Sequence, residues 1–434
     1  MPDNPLVITD SDIAGVVKRI YESYREKAFP LSTPLLAQLK KAKPGGPEKM
    51  QWGGDGLYFD VVLTRPTGMT GSGSGFFPPT SKAREQQSTL GIKRTYVTRQ
   101  LDHLAILGTE SKESAFISLA RKVYEEAIDA ARLGQQEVLH GNGLGVKAIV
   151  DTVSSTTSII CSGPYGVAGA GAGGLLLDKD MYIAVLATGG ATERGKSYIS
   201  AVSNSGDNCT VTLTSAIVGM QATDVIVAAT TSDNAYNQMP QGLMSITNRA
   251  AGFNNFQGIN NATAGNERWN TTRLTPADAD TPNEMDVWDL ATRIAGRSGK
   301  DAKLKSSEFL MMSTPGIEKK LAESFLGQRR WDAEVNPTLK GGFKAVQICG
   351  INMISDYWCP AGTLYMVHVP SLTWVDRMDW TKVRYEDSGA WRFIPGRDAF
   401  EFTLASYWNT GCILRNSHGM YTGYTDATRY SHEM

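Results

Sequence analysis

Apolar positions along this chain change their spacing several times, and each change predicts a different element. After Asp10 or Ser11, Ile13, Val16, Val17, Ile20 and Tyr24 recur three and four residues apart, which predicts an amphipathic helix with a capped start. Thr33-Pro34 followed by Leu35, Leu36 and Leu39 predicts a second, short helix ending at Lys43-Pro44-Gly45-Gly46. The pattern then becomes strand-like. Leu57-Tyr58-Phe59-Asp60-Val61-Val62-Leu63 forms one run, and a return run from Leu90 to Leu101 is rich in β-branched and aromatic residues. Between them, Gly68, Gly71, Gly73, Gly75 and Phe76-Phe77-Pro78-Pro79 predict a long irregular tip. A two-stranded hairpin is marginal alone in water. The two runs therefore predict an arm that needs an outside surface, with a neighbouring copy of the chain as the supplier.

Helical spacing returns from Ser111 to about His140, where Phe116, Leu119, Ala120, Val123, Ala127, Ala130 and Ala131 lie on one side. No Pro interrupts this stretch, and Gly141-Asn142-Gly143 ends it. Fully helical, it would extend about 45 Å. From about residue 146 the composition shifts to Ser, Thr and Gly, and short runs follow at Met181–Ala187, Lys196–Ser203, Cys209–Thr214 and Asp224–Thr230. Turn residues separate them, so they predict a small barrel or sandwich inserted into a larger domain. Helices are predicted at Pro282–Arg297 and Pro315–Leu326, with a strand at Phe309–Met312 between them. The last hundred or so residues read mainly as strands: Phe343–Cys349, Thr363–His368, Trp380–Tyr385, Trp391–Ile394, Phe400–Tyr407 and Cys412–Ser417. The predicted class is mixed α+β.

The chain has 434 residues, enough for several domains at about 150 each. Its 43 basic and 44 acidic residues leave a formal charge of −1, so contact with nucleic acid is expected to be weak or local. Five widely spaced cysteines with no C-x-x-C pair predict reduced thiols in a cytosolic folding compartment. No signal peptide is visible at the N-terminus, and no window approaches the roughly 18 apolar residues a helical membrane span needs. The expectation is a soluble protein made inside a cell.

No stretch of the sequence combines residue types and spacing in a way that predicts a catalytic, metal or cofactor site. Gly169-Ala170-Gly171-Ala172-Gly173-Gly174 satisfies the dinucleotide pattern formally. The residues before it are broken by Gly163-Pro164, however, and those after it lead towards a strand, so a Gly-rich connection is the better reading. Gly71-Ser72-Gly73-Ser74-Gly75 matches a nucleophile-elbow pattern but sits in the hairpin tip with no following helix. His103, His140, His368, His418 and His432 are scattered without metal-ligand spacing. Glu125-Glu126 and Asp278 with Asp280 have the spacing of solvated helix faces or loops. The C-terminal tryptophans, Trp331, Trp358, Trp374, Trp380, Trp391 and Trp408, read first as core, although interfaces also favour aromatic residues.

Taken in order, an N-terminal arm, a long hairpin, a long helix with a Gly-rich stop, a mixed domain and C-terminal strands resemble the major capsid proteins of tailed bacteriophages, the Hong Kong 97-like coat fold. The resemblance covers nearly all of the chain from about residue 50 and rests on two segments. One is Gln136-Glu137-Val138-Leu139-His140-Gly141-Asn142-Gly143, which looks like the close of that family's spine helix. The other runs from Gly341-Gly342-Phe343 through Cys349-Gly350-Ile351-Asn352-Met353-Ile354 and Asp356 to Pro360-Ala361-Gly362-Thr363-Leu364-Tyr365-Met366.

The resemblance implies an α+β fold with an N-arm at 1–54 and an extended hairpin loop at 55–103. A peripheral domain would hold the spine helix in 104–145, and an axial domain at 146–362 would contain a small inserted β-barrel at about 178–232. Residues 363–434 would supply C-terminal strands of the peripheral domain and return to the axial one. It also implies a structural, non-enzymatic subunit that self-assembles into hexamers and pentamers of an icosahedral shell. That shell would enclose packaged double-stranded DNA without sequence-specific binding, cofactor, metal or membrane. A separate scaffolding protein is expected because only about fifty residues precede the hairpin, together with portal and head decoration proteins. Synthesis would take place in the host cytoplasm and the final location would be the virion. The expected subunit interface comprises Phe76 and Phe77 against a neighbour's apolar surface, and Arg65, Arg84, Arg94 and Arg99 against neighbouring carboxylates. Lys82 and Lys93 lie in the loop region, but neither matches a crosslinking motif. The competing readings are an encapsulin-type compartment, a tail or decoration component, and a nucleotide-binding enzyme using 169–174.

Overall fold

The computed structural model describes residues 7–8, 35–36, 39, 51–54, 56–65, 82–103, 113–167, 173–190, 192–205, 208–249, 253–279, 282–298, 308–326, 347–348, 350–383 and 391–426. The hairpin forms between Gly56–Thr64 and Arg84–Gly91, with Leu57 opposite Leu90. Strict alternation along the first strand buries Leu57, Phe59, Val61 and Leu63 while Asp60 and Val62 stay exposed. The buried set is packed by the chain itself. Phe59, Val61 and Leu63 join Leu35, Phe256, Trp269, Tyr365, Trp374 and Trp408 in the largest apolar core.

Two expectations are corrected here. The return strand is Arg84–Gly91; only Leu90 and Gly91 of the predicted run pair with the first strand, and Lys93–Asp102 pairs instead with Ala399–Cys412 in another sheet. The base of the hairpin also has its second layer within the same chain, so it does not require a neighbour for burial. The reason is tertiary. The path leaves one sheet and enters the next at Ile92, and the Asn409 amide donates to the Gly91 carbonyl there at 2.5 Å.

Helix α1, Glu113–His140, matches the predicted long helix. Val123 and Ala127 pack on Leu101, Phe402 and Leu404, which project from one face of the sheet built by Lys93–Asp102, Ala399–Cys412 and Leu372–Lys382. The opposite face of that sheet carries Tyr96, whose ring meets Tyr407 edge-on at 6.3 Å. A second sheet orders its strands as Thr272–Leu274, Gly419–Thr422, Thr363–His368, Phe309–Ser313, Ile351–Ser355 and Gln347–Ile348. Its two central strands are buried throughout because both faces are covered. Met312, Tyr365 and Val367 face the main core, while Met311, Met353 and Met366 face the helices Glu284–Ser298 and Pro315–Leu326. Both helices fall where their periodicity predicts. Asn283 caps the first reciprocally with Asp286: the Asp286 amide donates to Asn283 Oδ1 at 3.0 Å.

The small β unit is a closed six-stranded barrel, and it begins earlier than about 178. Val146–Ser155 and Ser158–Ser162 pair with each other, the former also with Val225–Ala228 and the latter with Asn208–Leu213, completing the ring with Tyr182–Leu186 and Glu193–Ser205. Only closure satisfies every edge, so the two strands read as a Ser/Thr-rich lead-in belong to the barrel. The predicted strand Cys412–Ser417 is also corrected. Ala399–Cys412 is one long strand, and Arg415–Ser417 is a 3-10 turn. The predicted helix after residue 10 and positions 343–346 of the predicted strand Phe343–Cys349 lie outside the described residues.

The barrel is attached by a narrow neck. The chain enters straight from the end of α1 and leaves beside its own point of entry, where the Asn237 amide donates to the Leu144 carbonyl at 2.9 Å. It then starts helix α2, Leu243–Thr247, all five residues of which are buried. A Cβ on Gly242 would stand 2.4 Å from the Val138 carbonyl and 2.5 Å from that of Leu139, both at the end of α1. Gly242→Ala is therefore expected to destabilise the subunit by about 1–3 kcal/mol, because backbone and not a flexible side chain must yield. A thermal melt showing no loss would mean that the two helix ends are free to separate.

Candidate assembly surface and the buried junction behind it

Arg65 is exposed at the end of the first hairpin strand, and Arg84 lies one residue from it across the register, opposite Thr64. Arg84 is engaged within its own chain, with Nη1 donating to the Ala264 carbonyl. Arg94 is exposed on the next strand, 5.8 Å from the Tyr407 ring centroid. Arg99 is exposed too, but it shares the parity of Val97 and Leu101, which pack toward α1, whereas Arg94 shares that of Tyr96 and Thr98. Alternation thus separates Arg94 and Arg99 onto different faces. Phe76 and Phe77 lie outside the described residues.

The open sheet face around Arg94 carries Tyr96, 53% exposed, Tyr407, and a Thr98–Thr403 hydroxyl contact of 3.1 Å. Arginine and tyrosine are among the residue types that protein–protein contacts favour. On the other side of the sheet α1 holds the strands in place, and its end is fixed by a buried polar junction.

That junction joins the two segments on which the capsid resemblance rests. Asp356, 3% exposed, accepts from Gln136 Nε2 and, at 2.8 Å, shares a hydrogen bond with His140 Nε2. Its other oxygen accepts from the Trp358 amide at 3.0 Å. Tyr165 reaches the same turn from the barrel side, its hydroxyl donating to the Trp358 carbonyl at 2.7 Å. One carboxylate therefore ties α1 to the turn before Thr363–His368, and Tyr165 ties the barrel to that same turn. Burial alone would raise the Asp356 pKa, yet His140, the Trp358 amide and Gln136 hold it below the usual carboxylate value. Along the chain His140 and Asp356 lie in separate segments, 216 positions apart. The available signal was an i, i+4 pair of polar residues, Gln136 and His140, in the last turns of the predicted helix.

One arrangement looks like catalytic chemistry and is wired against it. His418 Nε2 and Ser371 Oγ are 3.0 Å apart, but His418 Nδ1 accepts from the His368 amide at 3.2 Å. The neutral ring therefore carries its proton on Nε2 and donates to Ser371, so it cannot take the serine proton. Ser371 in turn donates to the His368 carbonyl at 3.0 Å and is 5% exposed. Burial, then His368 and Arg415, push the His418 pKa down to about 3. Because the folded value lies below the ordinary 6.5, this group contributes stability that is fully present above pH 6.5 and is lost as pH falls toward 3. The expected slope is about 1.4 kcal/mol per pH unit. His418→Asn, which keeps an acceptor for the His368 amide, should flatten it. Urea denaturation at pH 7 and 5 checks this, and equal slopes in both proteins would refute the assignment.

Among the described residues no group of His, Cys, Asp or Glu is arranged to hold a metal, and Cys161, Cys209, Cys359 and Cys412 are buried thiols. Immediately after the Gly-rich segment, residues 175–180 contain turns and no helix, so no helix N-terminus follows it to meet a phosphate. A small cleft at the barrel neck is lined by Val138, Tyr165, Met239 and Pro240. The Lys147–Glu137 ion pair of 2.6 Å beside it offers no nucleophile.

No protein-family model matches the chain, and no curated protein matches it in sequence. Solved structures do match in shape. The capsid asymmetric unit of cyanophage A-1(L) is 12% identical with a TM-score of 0.55, covering 93% of this chain and 96% of that one. A capsid of a native GTA particle is 10% identical with a TM-score of 0.48, covering 93% and 94%. An encapsulin complex from Synechococcus elongatus PCC 7942 is 10% identical with a TM-score of 0.42, covering 95% and 96%. The first match carries the fold assignment: this mixed α+β chain with its six-stranded barrel has the fold of a phage capsid subunit.

Proposed function

We propose that the chain is the major capsid subunit of a tailed bacteriophage head, a structural protein with a Hong Kong 97-like fold that assembles into hexamers and pentamers around double-stranded DNA. The observation that carries this reading is the fold shared with a cyanophage capsid subunit over nearly the whole length of both chains. The spine helix is α1, the axial domain contains the barrel, and the hairpin loop is the arm that reaches a neighbour. Since the hairpin base is buried on its own core, the outside contact is assigned to the tip with Phe76 and Phe77, to Arg65 and Arg84 at its root, and to Arg94 on the open sheet face. Arg99 is assigned to the same interface from the strand's other face. Scaffolding, portal and decoration proteins complete the proposed head.

Electron microscopy of the protein expressed alone and with its genomic neighbours tests the reading. Icosahedral particles holding nuclease-resistant DNA support it, particles filled with enzyme cargo favour an encapsulin-type shell, and a chain that stays monomeric throughout refutes both. Deleting residues 68–80 is expected to leave soluble subunit but no stable shells. Normal particles from that deletion would remove the tip from the interface.

A further inference from the structure

Helix α3, Glu284–Ser298, ends beside the turn Arg415–Ser417, and together they organise three arginines on one surface. Arg415 is fully buried and donates to the carbonyls of Ser245, Ile246, Asn248 and Phe253, so it fixes the chain on both sides of Arg249. The next residue, Asn416, donates Nδ2 to the Arg297 carbonyl at 3.0 Å and so fixes the last turn of α3. Consecutive residues of one turn thereby set the positions from which Arg249 and Arg297 project, and both are exposed. Arg297 spends one donor, Nη1, on the Thr271 carbonyl at 3.1 Å, which orients its guanidinium. Arg293 lies one helical turn before Arg297 on α3.

Charge in this patch is not balanced. Asp289 neutralises Arg293 at 2.9 Å, but among the described residues no carboxylate makes an ion pair with Arg249 or Arg297. Burial, then the charges of Arg249 and Arg293, lower the Arg297 pKa, so both of those guanidinium groups lie within electrostatic reach of Arg297. Like charges held together on a rigid frame are stabilised when an anion joins them, and a guanidinium fork fits phosphate oxygens in bidentate geometry. A formal charge of −1 for the whole chain means that this surplus is local.

We propose that Arg249, Arg293 and Arg297 form an anion-binding patch that takes the phosphodiester backbone of DNA. The choice of DNA rests on the shell reading above, while the patch itself rests on the geometry. Phosphate contact of this kind is independent of base sequence and falls steeply with salt.

Fluorescence anisotropy of a labelled duplex of about 20 base pairs, titrated with full-length protein across a salt series, tests the proposal. The double variant Arg249→Glu with Arg297→Glu is expected to lose at least about tenfold in affinity at low salt and to reduce the log–log salt slope by about 2. Arg249→Gln with Arg297→Gln, which keeps donors and size, should show a similar slope change with an unaltered thermal melt, separating charge from folding. Unchanged affinity and slope in both variants would overturn the proposal. If the variants abolish particles yet bind duplex as well as the parent, the patch is a contact between copies, and the DNA assignment fails while the shell reading stands. If the parent forms no particles but its duplex binding still depends on these arginines, the patch stands and the shell reading fails.

Discussion

Arg415→Leu is expected to lower the unfolding free energy of the unassembled subunit by about 2–4 kcal/mol, because buried carbonyls lose the charged donor that serves them. The guanidinium is 0% exposed, and four carbonyls converge on it: Ser245 at 3.1 Å, Ile246 at 3.1 Å, Asn248 at 2.7 Å and Phe253 at 3.2 Å. Three of these belong to the C-terminal end of α2 and the residue just beyond it, where the helix has no amide donors of its own left to offer. Phe256 stacks its ring 4.6 Å from the guanidinium carbon. Leucine fills most of the volume but leaves buried carbonyls without donors, each costing about 1–3 kcal/mol unless water reaches them. Arg415→Lys should recover only part of the loss, since one ammonium cannot span the separated carbonyls as a planar fork does. Urea denaturation at neutral pH provides the measurement. A loss below about 1 kcal/mol would mean that water or rearranged backbone satisfies these carbonyls.

Asp356→Ala should cost a similar amount, about 3–5 kcal/mol, because it removes the shared acceptor of Gln136, His140 and the Trp358 amide from a site that water does not reach. The effect is expected to be coupled. A double-mutant cycle with His140→Ala should give an interaction energy on the order of 1–3 kcal/mol, whereas additive losses would show that the two side chains act independently. The pH dependence has a definite sign. A carboxyl group held below its ordinary 3.8 contributes stability that is present above that value and is lost as the medium is acidified through the folded pKa. This window lies below most of the His418 window, so the two effects separate: His418 dominates the decline from pH 6.5 to about 4, and Asp356 adds to it in stronger acid. Because the junction fixes α1 against the strand that follows Asp356, the same variant should also reduce particle yield more than its melting temperature alone would indicate. A yield that simply tracks stability would count against a positioning role.

Helices α1, α3 and Pro315–Leu326 are legible because each carries an apolar stripe at helical spacing, stop signals, and in α3 a reciprocal cap. The strand Phe309–Ser313 is legible from its short, continuous apolar run, Phe309-Leu310-Met311-Met312. The partner of Gly56–Thr64 was misread because Leu90–Leu101 is continuously strand-like, and nothing local marks Ile92 as the point where the chain changes sheets. The barrel's first two strands were missed because Ser and Thr dilute their alternation. Ala148, Val150, Ile159 and Cys161 still supply its interior.

By itself, the order of residues determined the helices α1, α3 and Pro315–Leu326, the mixed α+β class and a formal net charge of −1. These properties depend on periods of two and of three to four residues, which operate within a few turns of chain. Only the tertiary structure decided that the hairpin base is covered by its own core, that Val146–Ser162 closes a barrel, and that Asp356 meets His140 across 216 positions. It also decided that Arg249 and Arg297 share one surface through Arg415 and Asn416. Pairings of this kind are set by which surfaces bury each other and which buried polar groups find partners, and that competition is settled between distant segments, beyond the reach of any local pattern.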